Sequence, residues 1–438
     1  MDRGRMTINA RLKQPPFTVS TYLLHSCIAI VYLLLLLSLC SPARSVHHTH
    51  RHRPTPVLPA SLDIWRNISV PFYLYQDILD AYRKHCPNVD PYWQKGVSYF
   101  WFAQIENHEW RTQNPHDALL YIIPADFDAI SHGDCDKDRR LLYKLTYEVL
   151  DESEVFHRYG GKDHVVISTY FKSRTIPHAG LKKILKDVIR LDRLDDTMHG
   201  HCQVPLLHNA PAPLRASLAE VTVPKINRTH TLFFVGQADS RKKYVPRVIG
   251  VQKLQDVGLD NVLLVSNCMQ KKNPYFTLCT EGQMKGCCAD LSRKDFLRLQ
   301  RSSKWNLMFA GDDAGSSRLP EAIAMDVPSF ILSRGVEHYL SFSCLVPWDL
   351  FTVRVDVDTF TSHPAKTIAT LLEKNEDRWE RMRHIQAQYA PHVLWSYPEG
   401  YTARNTIVDV VRKCFPGRVP ISIPTIPCRH THTDLSSL

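Results

Sequence analysis

The chain has 438 residues, 44% hydrophobic and 22% charged, a globular composition that excludes a disordered or fibrous protein. The formal charge of +10 points to nucleic acid only until it is located: residues 1–53 hold seven Lys or Arg against one Asp, taking the totals of 54 and 44 down to 47 and 43. A body so nearly balanced argues against nucleic-acid binding and suits an enzyme that handles small anions.

From Tyr22 to Cys40 the sequence is apolar apart from His25 and small hydroxyl residues, a length that spans a bilayer core of roughly 30 Å. Arg3, Arg5, Arg11 and Lys13 precede it, so residues 1–21 stay in the cytosol and everything after Cys40 lies across the membrane. The reading is a type II signal anchor over 22–40. The competing one is a cleaved signal peptide, with small residues at Ser38, Cys40, Ser41 and Ala43. Residues 41–61, rich in His, Arg and Pro and without apolar periodicity, make an exposed stem. Sequons at Asn67 and Asn227 are the expected glycosylation sites of a lumenal body. Ten of the twelve cysteines follow the apolar run and suit disulfides in an oxidising lumen, with pairings that sequence does not reveal.

Folded sequence begins near Leu62, with a first strand over Val70–Tyr75. Trp93, Val97, Phe100, Trp101 and Ile105 recur at spacings of three and four and predict a helix from Tyr92 to about Trp110. Strands then follow at Ala118–Ile123 and His164–Ser168, and helices at Lys137–Leu150 and Leu181–Ile189. Pro205 to Pro213 breaks the pattern and is the candidate interdomain linker. Beyond it, strands are expected at Thr231–Val235, Asn261–Ser266, Trp305–Phe309, Val327–Leu332 and Phe351–Val355. Helices alternate with them near Lys242–Leu254, Ser292–Ser302, Ser316–Met325, Pro364–Lys374, Asp377–Tyr389 and Thr402–Cys414. This alternation predicts an α/β protein of two Rossmann-like, doubly wound domains, 62–215 and 216–415, facing a cleft, with a loose tail over 416–438.

The chemistry concentrates between Ser303 and Ala322. A strand ends at Phe309, a small loop carries Gly311, Asp312, Asp313, Ala314 and Gly315, and a helix starts at Ser316 or Ser317. The helix start presents unpaired N–H groups and Arg318 adds a full charge, which suits a pyrophosphate. Glu321 shares a helix face with Arg318 and is placed to accept a hydrogen bond from a ribose hydroxyl. The plainer alternative is an ordinary serine cap with an i,i+3 surface ion pair.

Taken in order, several motifs resemble the exostosin-type glycosyltransferases. They are the run 72–77 (FYLYQD); Arg111-Thr112, Pro115, Ala118 and Pro124; Gly161, Asp163 and His164; and Phe234 to Gly236. The closest agreement is at Ser303, Leu307, Gly311, Asp312, Ser316, Arg318, Leu319, Glu321 and Ala322, followed by Pro328, Trp348, Phe351 and Val353. The resemblance spans roughly Val70 to Pro364. Departures stand at Trp305, Asn306, Phe309 and Met325-Asp326, where the family carries Phe, Cys, Pro and Gly-Cys.

The resemblance implies a GT-B enzyme, with a nucleotide sugar (a UDP-sugar) on the C-terminal domain, a glycan or glycoprotein acceptor on the N-terminal one, and inversion at the anomeric carbon. It implies a Golgi or endoplasmic-reticulum membrane protein, alone or assembled with another glycosyltransferase. Candidate donor-site residues are Gly236, Arg241, Gly311, Ser316, Ser317, Arg318 and Glu321; the leaving diphosphate is stabilised by Arg318, Arg241 and the Ser316 and Ser317 groups. None of these is a metal, so transfer without metal or other cofactor is expected. Asp126 follows the strand ending at Ile123 and is the candidate base, alongside Arg318 as a catalytic group; the alternative is that Asp126 caps a turn after Pro124. Asp126/Asp128 and Asp356/Asp358 also resemble the D-x-D of metal-dependent GT-A enzymes. His164 opens its strand and reads as structural. Two further readings stay open: a non-catalytic member that partners an active enzyme, and a lectin-like binding protein displaying Trp395 and Tyr397.

Overall fold

The computed structural model describes residues 68–415 except 89–95, 133–134, 136–138, 168–175, 193–201, 209–226, 240, 255–260, 268–274, 281–283, 312–313, 344 and 398–399. The apolar run 22–40, the stem, Asn67 and the tail 416–438 lie outside these residues. Among the described residues no helix is long and apolar enough to cross a membrane.

The expected alternation gives two six-stranded parallel sheets. The first holds β1 (Phe72–Leu74), β2 (Arg111–Thr112), β3 (Leu120–Ile123), β4 (His164–Ile167), β5 (Ile189–Asp192) and β6 (Cys202–Pro205), in the order β2-β1-β3-β4-β5-β6. The second holds β7 (His230–Gly236), β8 (Val262–Asn267), β9 (Lys285–Ala289), β10 (Ser303–Phe309), β11 (Ser329–Leu332) and β12 (Thr352–Arg354), in the order β12-β11-β10-β7-β8-β9. Strands covered by helices on both faces read as continuous apolar runs, and β3 (LYII) and β4 (HVVI) are buried at every position.

Four strands differ from expectation, the first being the two-residue edge strand β2, which no expected strand covers. The helix expected to reach Ile189 ends at Ile184, and after one 3-10 turn Ile189 opens β5 instead. Pro205, expected to begin the linker, closes β6; this edge strand tolerates the missing N–H. The edge strand β9 (KGCCA) carries no alternation, and Gly286 within it takes φ of 70° beside a register shift.

The family departures around β10 are absorbed by packing. Trp305 is fully buried and stacks on Phe330 with centroids 4.4 Å apart. Asn306 is satisfied in the core: it accepts from Gln300 at 3.3 Å and donates to Ser329 at 3.1 Å. Asp326 adopts φ of 62° and ties Arg383 at 2.6 Å.

Helix Trp379–Val393 packs on the second lobe, and its Ile385, Tyr389 and Val393 join that lobe's core. The chain then crosses back. Helix Thr402–Cys414, read from sequence as the end of the second domain, buries Ala403, Ile407, Val408 and Val411 in the core of the first. A disulfide from Cys414 to Cys202 fastens it to β6. Gln104, on helix Val97–Glu106, clasps the crossing: its amide donates to the Trp395 and Tyr397 carbonyls at 3.2 and 3.1 Å and accepts from the Ala403 amide at 3.1 Å. Two further disulfides join Cys86 to Cys135 and Cys279 to Cys287.

Counted from β7, the second sheet runs 6-5-4-1-2-3, the dinucleotide-binding order, and its direction of winding reverses between β7 and β10. In the first sheet the reversal falls between β1 and β3. Ligands of doubly wound sheets bind outside the carboxyl ends of the strands at such points.

Candidate functional site

Gly236 ends β7 and Phe309 ends β10, so the predicted donor residues Gly236, Arg241, Gly311, Ser316, Ser317 and Arg318 all leave the carboxyl ends of the two strands that flank the switch point. The loop after β10 is pinned to β11 by Ser333, whose hydroxyl donates to the Ala314 carbonyl at 2.7 Å. Ser316 is nearly buried, and its hydroxyl accepts from the Arg318 amide at 3.3 Å, which is the capping alternative read from the sequence. Ser317 is the N-cap residue of the short helix Arg318–Ala324 and makes no side-chain cap bond.

Arg318 and Glu321 form the i,i+3 pair that their spacing predicts, at 2.6 Å. Glu321 is 2% exposed, and a buried carboxylate is costly unless paired. A second guanidinium completes the pairing: Arg293 Nη2 donates to Glu321 Oε1 at 3.1 Å. Arg293 opens helix Arg293–Arg301, capped by Ser292, whose hydroxyl accepts from the Asp295 amide at 3.1 Å. Both guanidiniums lie over the Phe296 ring, Arg318 at 4.4 Å and Arg293 at 5.4 Å from its centroid. Two cations on one anion leave a net positive charge, with Arg293 44% and Arg318 25% exposed to solvent. Arg293 and Phe296 escaped sequence reasoning because nothing local links them to a carboxylate 28 residues on.

At the end of β7 a second basic cluster forms. Arg241 grips Asp239 with its side chain at 2.9 to 3.1 Å and with its own amide at 3.0 Å. The Arg241 hydrogen bond holds the Asp239 carboxyl below the usual carboxylate range. Arg241 and Arg247 both lie over Tyr244, at 4.1 and 4.3 Å, and Arg247 donates to the Gln237 carbonyl at 2.8 Å. Of this cluster the sequence singled out Arg241 alone; the shared ring required the turn at Lys242–Tyr244.

Asp126 does follow the end of β3, but it is wholly buried. One oxygen accepts from the Ala129 amide at 3.1 Å and the other from the Ser98 hydroxyl, so it caps helix Phe127–His132. Asp356 likewise caps helix Val357–Ser362, accepting from the Thr359 amide at 2.7 Å, while Asp358 pairs with Arg334. The leading member of each D-x-D is thus spent on a cap. Among the described residues no group of three or more His, Cys, Asp or Glu is placed to hold a metal ion.

His164 sits at the amino end of β4, fully buried: Nδ1 is 2.8 Å from Asp163, Nε2 is 2.8 Å from the Tyr75 hydroxyl, and the ring stacks on Tyr121 at 4.6 Å. Burial lowers its pKa, opposed by the Asp163 hydrogen bond, and burial raises that of Tyr75. Asn227 is exposed. A narrow crevice of about 10 Å³ lies where residues 205–208, leaving the first sheet, meet Gly315 and Ser316 of the second.

No curated protein sequence matches the chain. Among solved structures, Spinosyn Rhamnosyltransferase SpnG is 11% identical, covers 77% of this chain and 99% of its own, and gives a TM-score of 0.33. Spinosyn Forosaminyltransferase SpnP is 12% identical, covers 78% and 99%, and also gives 0.33. The Exostosin GT47 domain matches residues 66–371. With most of both sheets inside that match, the chain belongs to the exostosin GT47 family of glycosyltransferases.

Proposed function

We propose that the protein transfers a sugar from a uridine-diphosphate sugar to a glycan or glycoprotein acceptor, with inversion and without a metal ion. The observation that carries this reading is the pair of arginines, Arg293 and Arg318, held on the buried Glu321 beside the switch point of the second sheet. As the bond between the anomeric carbon and the diphosphate stretches, negative charge grows on the leaving oxygen. Fixed cations aimed at it lower the barrier because they need no reorganisation as the charge appears. Arg293, Arg318 and Arg241 supply the charge that a divalent cation would otherwise bring to the diphosphate.

The apolar run 22–40 then anchors the protein in the Golgi membrane with its body in the lumen, where Asn227 is exposed for glycosylation and disulfides persist. The test is calorimetry with uridine diphosphate, followed by a screen of uridine-diphosphate sugars that reads release of the nucleotide. Binding and turnover that persist in chelator support the proposal. A chain that binds no nucleotide is a non-catalytic partner, and one that needs Mn²⁺ refutes metal-independent transfer.

A further inference from the structure

Inverting transfer needs a base for the acceptor hydroxyl, and neither Asp126, spent on a helix cap, nor His164, enclosed at the amino end of β4, reaches an open surface. The segment that follows β6 is also buried, yet it lines the crevice between the two sheets. The Leu206 amide donates to the Asp192 carbonyl at 2.9 Å, and the Ser341 hydroxyl donates to the Pro205 carbonyl at 2.7 Å, so both lobes hold its backbone. Leu206 belongs to the core of the first lobe and Leu207 to that of the second. His208 comes next, 8% exposed, lining the crevice opposite Gly315 and Ser316 of the loop that leads into the Arg318 helix. Tyr339 is the other titratable side chain among the described lining residues, and none of them is charged.

We propose that His208 is the general base that takes the proton from the acceptor hydroxyl, an assignment that rests on the glycosyltransfer reading above. Its position is the one such a base requires: it hangs from the strand that closes the acceptor-side sheet, across from the donor-side loop. In the step, the acceptor O–H bond breaks and its proton passes to an imidazole nitrogen. The oxygen bonds to the anomeric carbon, and the bond from that carbon to the diphosphate breaks with its electron pair leaving on the phosphate. The imidazolium then releases its proton to water. Efficient bases have pKa values near the operating pH and contribute about 10²–10⁴-fold.

The test uses the full chain, uridine diphosphate as binding probe, and whichever of the galactose, xylose, arabinose or glucuronate donors the wild type turns over. His208→Gln is expected to keep nucleotide affinity within about twofold while turnover falls about 100-fold or more. The acid limb of the wild-type pH–rate profile should vanish with it, and added imidazole should restore part of the activity of His208→Ala. A His208→Gln enzyme with wild-type turnover and an unchanged acid limb overturns the assignment. Should that variant not fold, the imidazole response of His208→Ala decides, and no response overturns it. A wild-type chain that neither binds the nucleotide nor turns over any donor overturns the transfer reading and His208 with it, a result visible before any variant is made.

Discussion

Arg293 Nη2 and Glu321 Oε1 stand 3.1 Å apart, joining the starts of two helices that lie on either side of β10 in the sequence. Glu321 therefore serves as a fixed counter-charge that aims two guanidiniums. Replacing it with Gln leaves two cations facing a neutral amide. We expect Glu321→Gln to lower unfolding free energy by about 1–3 kcal/mol, less than for a fully buried pair because the arginines are partly exposed. Nucleotide affinity should fall about tenfold, a loss of about 1.4 kcal/mol. Chemical denaturation and calorimetry check both, and unchanged values would show that Glu321 holds neither arginine.

Arg318→Ala should separate binding from chemistry. Loss of one donor to a developing oxyanion costs about 2.7–4 kcal/mol in the barrier, so turnover should fall by two to three orders of magnitude while the protein folds normally. Activity within twofold of wild type would remove Arg318 from the leaving-group site.

His392 makes the fold sensitive to acid. It is buried beneath Tyr401, with ring centroids 4.6 Å apart, and desolvation lowers its pKa to about 4. Desolvation lowers His108 to about 4 as well. Because the folded value lies below the ordinary value of about 6.5, the unfolded chain takes up the proton first as pH falls. The contribution is complete above about pH 6.5, declines towards pH 4, and amounts to about 2–3 kcal/mol for His392. Unfolding free energy measured across that window should show a shallower slope in His392→Gln, and an equal slope would mean that the ring takes up its proton at the same pH folded and unfolded.

The Cys202–Cys414 bridge closes a sequence separation of 212 residues. Replacing both cysteines with serine should destabilise by about 2–5 kcal/mol, chiefly by enlarging the unfolded ensemble. Thermal unfolding checks this, and an unshifted midpoint would show that helix Thr402–Cys414 is held by packing alone.

Trp305→Ala should cost about 3–5 kcal/mol through the cavity left against Phe330. A smaller loss in denaturant titration would mean that the second core collapses readily into the space.

Both sheets were legible because their inner strands are uninterrupted apolar runs. β2, β5, β6 and β9 were not, being edge or near-edge strands of two to five residues that carry half-buried, Pro or Gly positions. At the site, Arg318 with Glu321 could be read from helical spacing, a local quantity. Arg293, Phe296 and His208 could not, because their neighbours come from distant segments. The fate of Asp126 was half legible: its place after a strand is a matter of order, whereas its enclosure by Ser98 depends on a helix packed from elsewhere.

The crossing fastened by Gln104 has a mechanical consequence. The chain passes between the lobes at Pro205–His208 and again beyond Leu394, where Trp395, Tyr397 and Ala403 are tied to Gln104. A body attached to another at two separated places can swing about the line through them, while sliding along that line is resisted. Any relative motion of the lobes would thus resemble a door on two pins, with Gln104 seated in one of them.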